Sequence, residues 1–253
     1  MTAYRRGSIA LTRRWLWHLR REPAGLIASI AQPALWLVLF GNLLAKSQIV
    51  QGPSYIAFMT AGVVVMTAFN GALNGGVELL FDRESGLLRR LLAAPLPPSA
   101  VLSSRLAYVL GVSTMQSFVI LLVALLMGVR IAAGAPGALL VLVYGILLGL
   151  GVCSLSMALA FALRGHAQFF AIIGFLGLPL LFASNALAPL NAMPGWLQIL
   201  AQANPMTYTI TASRSLILDG LQPGLLLTTL AVIAAFDALA VAACLWAMRR
   251  TTA

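Results

Sequence analysis

Residues 137–163 read GALLVLVYGILLGLGVCSLSMALAFAL, an apolar run without a single charge, closed by Arg164. A bilayer core of about 30 Å needs roughly 20 helical residues at about 1.5 Å each. Helix is the default there, because each helix satisfies its own backbone hydrogen bonds in lipid. The run reads as a membrane span, and the rest of the chain repeats its pattern. Of 253 residues, 61% are hydrophobic and 9% are charged, where soluble domains carry about a quarter charged. That composition excludes a water-soluble enzyme, a disordered tail and a coiled coil. A net charge of +10 on a chain that otherwise avoids charge fits anionic membrane lipid, not nucleic acid. Cys153 and Cys244 both sit in apolar runs, so neither a disulfide framework nor a metal-ligand spacing is present.

Charge-free intervals give the other spans. They fall at 24–45, between Glu22 and Lys46; at 54–77, after a polar turn from Gln48 to Ser54 and before Glu78; and at 106–129, between Arg105 and Arg130, for a span over 105–129. Between Gly165 and Ser213 the pattern is interrupted by Pro179, Pro189, Pro194 and Pro205, and its second half carries Asn185, Asn191, Gln198, Gln202 and Asn204. One crossing over 167–184 followed by a broken pair of short outer helices over 186–205 fits that stretch. Irregular backbone at membrane depth persists only where protein or water covers it, so this pair is expected as a re-entrant hairpin. The alternative is a plain loop on the outer leaflet. A last span covers 223–247, ahead of Arg249 and Arg250. The expected fold is an all-α integral membrane domain with six spans.

Basic residues orient it. With the N-terminal end inside, Arg5, Arg6, Arg13, Arg14, Arg20, Arg21, Arg83, Arg89, Arg90, Arg105, Arg164, Arg249 and Arg250 are all inside, and only Lys46, Arg130 and Arg214 are outside. Cytoplasmic loops carry such an excess. Both termini are therefore expected in the cytoplasm, in a multi-pass membrane protein. The first apolar run is too long for a cleavable signal and lacks an A-x-A end.

Two segments outside the spans stand out. In 8–21, Leu11, Trp15 and Leu19 form an i, i+4, i+8 row with arginines opposite, the pattern of a helix lying on the inner surface. In the long inner loop, Leu80, Leu87 and Leu91 share one face of a helix over 79–94, with Asp82, Gly86, Arg89 and Arg90 opposite, until Pro95, Pro97 and Pro98 stop it. Ser99 can cap the following helix. A charged helix on the cytosolic side is a surface another protein can grip; a solvated loop is the other reading.

No catalytic constellation is legible. Lys46 is the lone lysine and has no phosphate-cradling glycine loop around it. His18 and His166 form no metalloprotease pair, and no two of the six acids sit together inside a span. The polar residues within the spans remain. Thr67, Asn70 and Asn74 fall with Glu78 on one side of the second span. They fit a translocation path, or plain hydrogen bonding between helices at about 0.6 kcal/mol each. Gln116 in the third span carries the same ambiguity. Asp237 lies in mid-span, where a bare charge costs about 2.5–3.5 kcal/mol or more, so it is either functional or neutralised by protonation or pairing. Gly145, Gly149 and Gly151 suit close helix packing.

Three stretches together resemble a known family. The first is Arg20-Arg21-Glu22-Pro23 with Gln32-Pro33 and Leu39-Phe40-Gly41. The second runs from Asp82-Arg83-Glu84-Ser85-Gly86 through Leu87-Leu88-Arg89-Arg90 to Pro95. The third is Pro194-Gly195-Trp196, then Asn204-Pro205-Met206-Thr207-Tyr208, then Ala212 and Arg214. They resemble the type-2 ABC exporter permeases, the class of drug-resistance, polysaccharide and nodulation-factor export subunits, over nearly the whole chain. Leu87-Leu88-Arg89-Arg90 is more similar to the drug-resistance branch. The resemblance implies a connecting helix at 8–21 and a coupling helix at 79–94. It also implies re-entrant outer helices at 186–205, with Asn185, Pro194, Trp196, Asn204, Pro205 and Tyr208 as outer-gate candidates. It implies a homodimer of permeases joined to two copies of an ATP-binding cassette subunit that supplies ATP and Mg, with no cofactor in this chain. Asp82, Arg83, Glu84, Arg89 and Arg90 are the expected polar coupling contacts, and Leu87 and Leu91 the apolar seat. Thr67, Asn70, Asn74, Gln116 and Asp237 are the path candidates. The expected substrate is a lipophilic drug, a lipid or a glycan-type molecule. The alternative is an ion-coupled secondary transporter acting without an ATPase, with Asp237 as its relay; it calls for paired charges or an inverted repeat, and the sequence carries neither.

Overall fold

Helix is the only regular structure among the described residues, as a chain this apolar requires. The structure is a computed structural model and describes residues 2–21, 23–43, 55–93, 98–163 and 165–252. The helices are α1 (Thr2–Arg21), α2 (Pro23–Leu43), α3 (Tyr55–Glu84), α4 (Leu87–Ala93), α5 (Pro98–Leu126), α6 (Gly134–Ala162), α7 (His166–Phe182), α8 (Gly195–Ala203), α9 (Pro205–Leu218) and α10 (Pro223–Thr252), with a 3-10 turn at Leu190–Ala192. Glu22, Arg164, the outer turn with Lys46, the ends of the expected spans at 44–45 and 54, and the stop at Pro95 and Pro97 lie outside the described residues.

Among the described residues, five helices are long and apolar enough to cross a membrane: Ala24–Leu43, Tyr55–Glu84, Ser99–Leu126, Gly134–Ala162 and Pro223–Arg250. The fifth expected span, 167–184, corresponds to α7, which has 17 residues. That falls short of the roughly 20 a crossing needs.

The hub is α3, which packs against α5, α6 and α9. Small residues make this possible, since in lipid they let helix backbones approach closely. A Cβ on Gly76 would lie 2.6 Å from the carbonyl carbon of Ser156 in α6, and the Ser156 hydroxyl donates across the same seam to Leu73 O at 2.6 Å. The expected packing glycines of α6 face three different neighbours: Gly145 meets Ala68 of α3, Gly149 meets Leu110 of α5, and Gly151 meets Phe236 and Asp237 of α10.

Chain reversals follow from local chemistry. After α5, Gly128 takes φ +91. Val129 N then donates to Ala124 O (3.1 Å) and Gly128 N to Leu125 O (3.0 Å), satisfying carbonyls that a helix end leaves unpaired. Beyond it, Ala132 N and Ala133 N donate to Ile217 O and Leu216 O, closing the end of α9. Near the inner side, Gly86 at φ +72 breaks the expected 79–94 helix into the end of α3 and a separate α4. The helix after it starts at Pro98, so Ser99 lies inside its first turn and is not its cap; proline suits a first helical position.

The first helix starts earlier than residue 8, and its apolar row does not simply face lipid. Leu11 and Trp15 are buried, and α1 docks on α5. Thr12 donates to Ser104 O (3.4 Å) and Tyr4 to Ser103 Oγ (2.9 Å). Trp17 stays exposed.

Candidate translocation cleft and coupling end

A cleft runs along the polar face of α3. Its outer part is a cavity of about 410 Å³ lined by Trp36 of α2, Thr67, Asn70 and Asn74 of α3, Gln116 of α5 and Ile173 of α7. Its inner part, about 380 Å³, is lined by Asn74, Gln116, Trp15, Glu78, Asp82 and Arg105. Both parts share Ser29, Asn74 and Gln116, so they adjoin along the same face of α3. The structure thus brings four of the five path candidates together. Asn70 and Asn74 are exposed. Thr67 is buried and donates to Val63 O of its own helix at 2.7 Å. Gln116 Nε2 donates to Ser29 Oγ at 2.6 Å, tying α5 to α2. Asp237 is not part of the lining; it packs against Gly151 in the seam between α6 and α10.

The inner end of the cleft is a buried charge cluster. Arg105, 3% exposed, pairs with Glu78 through one Nη and with Asp82 through the other. The Trp15 ring lies 3.6 Å from its guanidinium carbon, a cation–π contact. Tyr108 packs beside that ring at 6.4 Å. The cluster therefore ties α1, α3 and α5 together. The sequence reading used Arg105 as a span end and an inside charge, and Glu78 as a span end and a member of the polar face of the second span; it did not pair them. The signal that points to the cluster is the Glu78-x-x-x-Asp82 spacing, which puts two acids on one helix face, in need of a cation where water is scarce.

The coupling candidates divide. Asp82 turns inward onto Arg105. Arg83 also turns inward and donates to Ala160 O (3.0 Å), Phe161 O (3.4 Å) and Leu163 O (2.8 Å) at the end of α6, where orphan carbonyls and the helix dipole both favour a cation. Glu84 pairs with His166 Nδ1 at 2.8 Å, joining the end of α3 to the start of α7. Leu87 and Leu91 are half-buried against the core, beside the buried Leu88. Only Glu84, Arg89 and Arg90 of the seven are exposed. The expectation of one charged face fails because Gly86 resets the helix register between Asp82 and Arg89.

The outer-gate candidates also separate. Asn204 is a joint: its Oδ1 accepts from Met206 N (3.0 Å), and its Nδ2 donates to Leu180 O and Ala183 O (2.8 Å each). It caps the start of α9 and the end of α7 in one side chain. Pro205 fills the first position of α9, where a missing N–H costs nothing. Asn185 donates to Thr211 Oγ1 at 2.8 Å, and its carbonyl accepts from Arg214 Nη2 at 2.7 Å. Arg214 in turn lies 3.7 Å over the Phe58 ring. The turn carrying Asn185 leans on α3, where a Cβ on Gly62 would lie 3.1 Å from Ala186 C. Pro194 starts α8, its carbonyl accepting from Leu197 N at 2.9 Å. Trp196 is 67% exposed, apart from this joint. Tyr208 is half-buried, and its carbonyl accepts from Thr229 of α10. The sequence reading missed α9 as a buried helix. Its signal was present, an asparagine cap followed by proline.

Comparison with known proteins covers this same body of helices. Residues 7–218 match the sequence model of the ABC-2 type transporter family. A protein carrying the name transport permease ycf38, from Porphyra purpurea, is 41% identical over 81% of this chain and 72% of its own length. The daunorubicin resistance ABC transporter permease protein DrrB1 of Streptomyces coeruleorubidus is 27% identical over 83% of this chain and 75% of its own. Nodulation protein J of Sinorhizobium fredii is 27% identical over 79% and 76%.

Proposed function

Because this chain belongs to the ABC-2 type transporter family of permeases, we propose that it is the membrane-spanning subunit of an ATP-driven exporter. It moves a lipophilic drug, lipid or glycan-type molecule out of the cytoplasm and performs no chemistry of its own. Two copies of a separate ATP-binding subunit supply the energy, with their own ATP and Mg. Two copies of this chain pair so that substrate leaves between them. The setting is a bacterial inner membrane, with both termini in the cytoplasm.

The observation that carries this reading is the pair of adjoining cavities along α3, from Trp36 to the Arg105 cluster. The inner one reaches Asp82 in the last turn of α3; Glu84 at the end of that helix is exposed, as are Arg89 and Arg90 of the following α4. A partner gripping α4 would move the end of α3. Through Arg83 and the Glu84–His166 pair, that motion reaches the junction of α6 and α7. The bundle then needs two discrete arrangements, both biased by nucleotide.

Six crossings belong to this proposal, with α7 as the short fifth one. Its support is the turn after α7, which carries the chain on to Ala186 beside Gly62. The re-entrant outer pair is likewise supported by the start of α9. Pro205 and Met206 share a cavity with Phe69 and Leu73 of α3, while the end of α9 meets the loop after α5.

Reversing two charges tests the grip. Arg89→Glu with Arg90→Glu is expected to abolish transport-coupled ATP hydrolysis. Stability should stay within about 0.5 kcal/mol, as for surface changes generally. Coupled hydrolysis at the wild-type rate counts against α4 as the contact.

A further inference from the structure

A second cavity, of about 240 Å³, lies behind α7 and outside the polar cleft. Leu155 and Leu159 of α6, Ile172 and Leu180 of α7, Met206 of α9 and Phe236 of α10 line it. Leu155 and Leu180 are exposed, so the cavity communicates with the outer surface of the bundle, and in a spanning chain that surface meets hydrocarbon. Its two polar side chains are already engaged. Ser156 donates to Leu73 O, and Asn204 is shared among Leu180 O, Ala183 O and Met206 N. The lining therefore offers a ligand apolar surface and little else. A polar or charged group placed here would lose its hydration without gaining a partner.

The cavity shares Phe69, Leu73, Ile173 and Gly177 with the polar cleft. Residues of α3 and α7 therefore form the border between the two spaces. That wall is weak by composition: Gly174, Gly177 and Pro179 interrupt α7, each costing helix stability or a backbone hydrogen bond. Among the described residues, α7 packs appreciably only on α3.

We propose that this cavity is a binding site for a single hydrocarbon chain that reaches in from the bilayer. The chain belongs either to a resident membrane lipid or to the tail of a transported amphiphile. The proposal rests on the membrane placement of the chain and not on its ATP-binding partner. Its failure would leave the exporter reading standing, since that reading is tested by reconstitution with the partner.

The test uses the purified full chain in phosphatidylcholine vesicles doped with a phospholipid that carries a diazirine midway along one acyl chain. After irradiation, adducts are mapped by mass spectrometry. They are expected to concentrate on the peptides carrying Leu155, Ile172 and Leu180, above the background on exposed Leu239 of α10. A Cβ at Gly177, which lines the cavity wall, meets nothing within 4 Å, so Gly177→Trp adds bulk at that wall without a clash. It is expected to reduce pocket labelling to the Leu239 level. Leu180→Trp, at the exposed rim, should do the same without touching the core. Dodecylphosphocholine below its micellar concentration distinguishes the sources. Displacement of the label identifies an exchangeable amphiphile site, and retention identifies a held lipid. Labelling no higher than at Leu239, or labelling unchanged in both tryptophan variants, overturns the proposal.

Discussion

Arg105→Met should unfold the purified chain well below the wild-type temperature, with a loss of about 3–5 kcal/mol. The guanidinium is 3% exposed and holds Glu78 and Asp82 together. Removing it leaves the largely buried Asp82 carboxylate beside that of the part-exposed Glu78 without the cation between them, and breaking such a pair costs more than never having built it. Trp15 also loses the cation over its ring, so α1 loosens from α5. The triple variant Arg105→Met, Glu78→Gln, Asp82→Asn removes the charges together and should recover most of the loss. Thermal unfolding in one detergent reads both. If the single and triple variants melt together, the cluster is not an ion-paired unit.

The next largest effect is expected at Gly76→Val. A Cβ there meets the Ser156 backbone at 2.6 Å, and a backbone atom cannot rotate away. The α3–α6 seam must open, and the Ser156 bond to Leu73 O opens with it. Overpacking costs about 1–3 kcal/mol, and the broken seam places this variant at the upper end. The comparison is Gly111→Val on α5, where a Cβ meets nothing within 4 Å. That variant should melt near wild type. Equal melting of the two would contradict the close crossing.

These two sites also mark where the sequence stopped being informative. Hydropathy places an apolar run such as 137–163 in the membrane, because burial in lipid depends on composition and length alone. Thr67, Asn70 and Asn74 were legible as one face because they lie three and four residues apart on one helix, and the cleft does follow them. The partner of that face was not legible: Gln116 and Arg105 come from another helix, and periodicity carries no information about neighbours. As one helix, 79–94 puts Asp82 on an outward face with Arg89 and Arg90 and leaves Arg83 to a partner. Gly86 at φ +72 ends that helix, so the acid and the arginine serve Arg105 and the end of α6 instead. Pro205 was read as a breaker, although after Asn204 it starts α9. The same residue types carry opposite meanings at the two ends of a helix.

The central claim is that this chain is a gate without its own motor, moved through α4 by a separate ATP-binding subunit. Vesicles containing the chain alone, the chain with its ATP-binding partner, and the partner alone, each with ATP and Mg inside or outside, test it most directly. Uphill accumulation of a lipophilic cargo is expected only where both proteins are present and ATP faces α4. Accumulation by the chain alone, driven by an ion gradient and abolished by Asp237→Asn, would contradict the account.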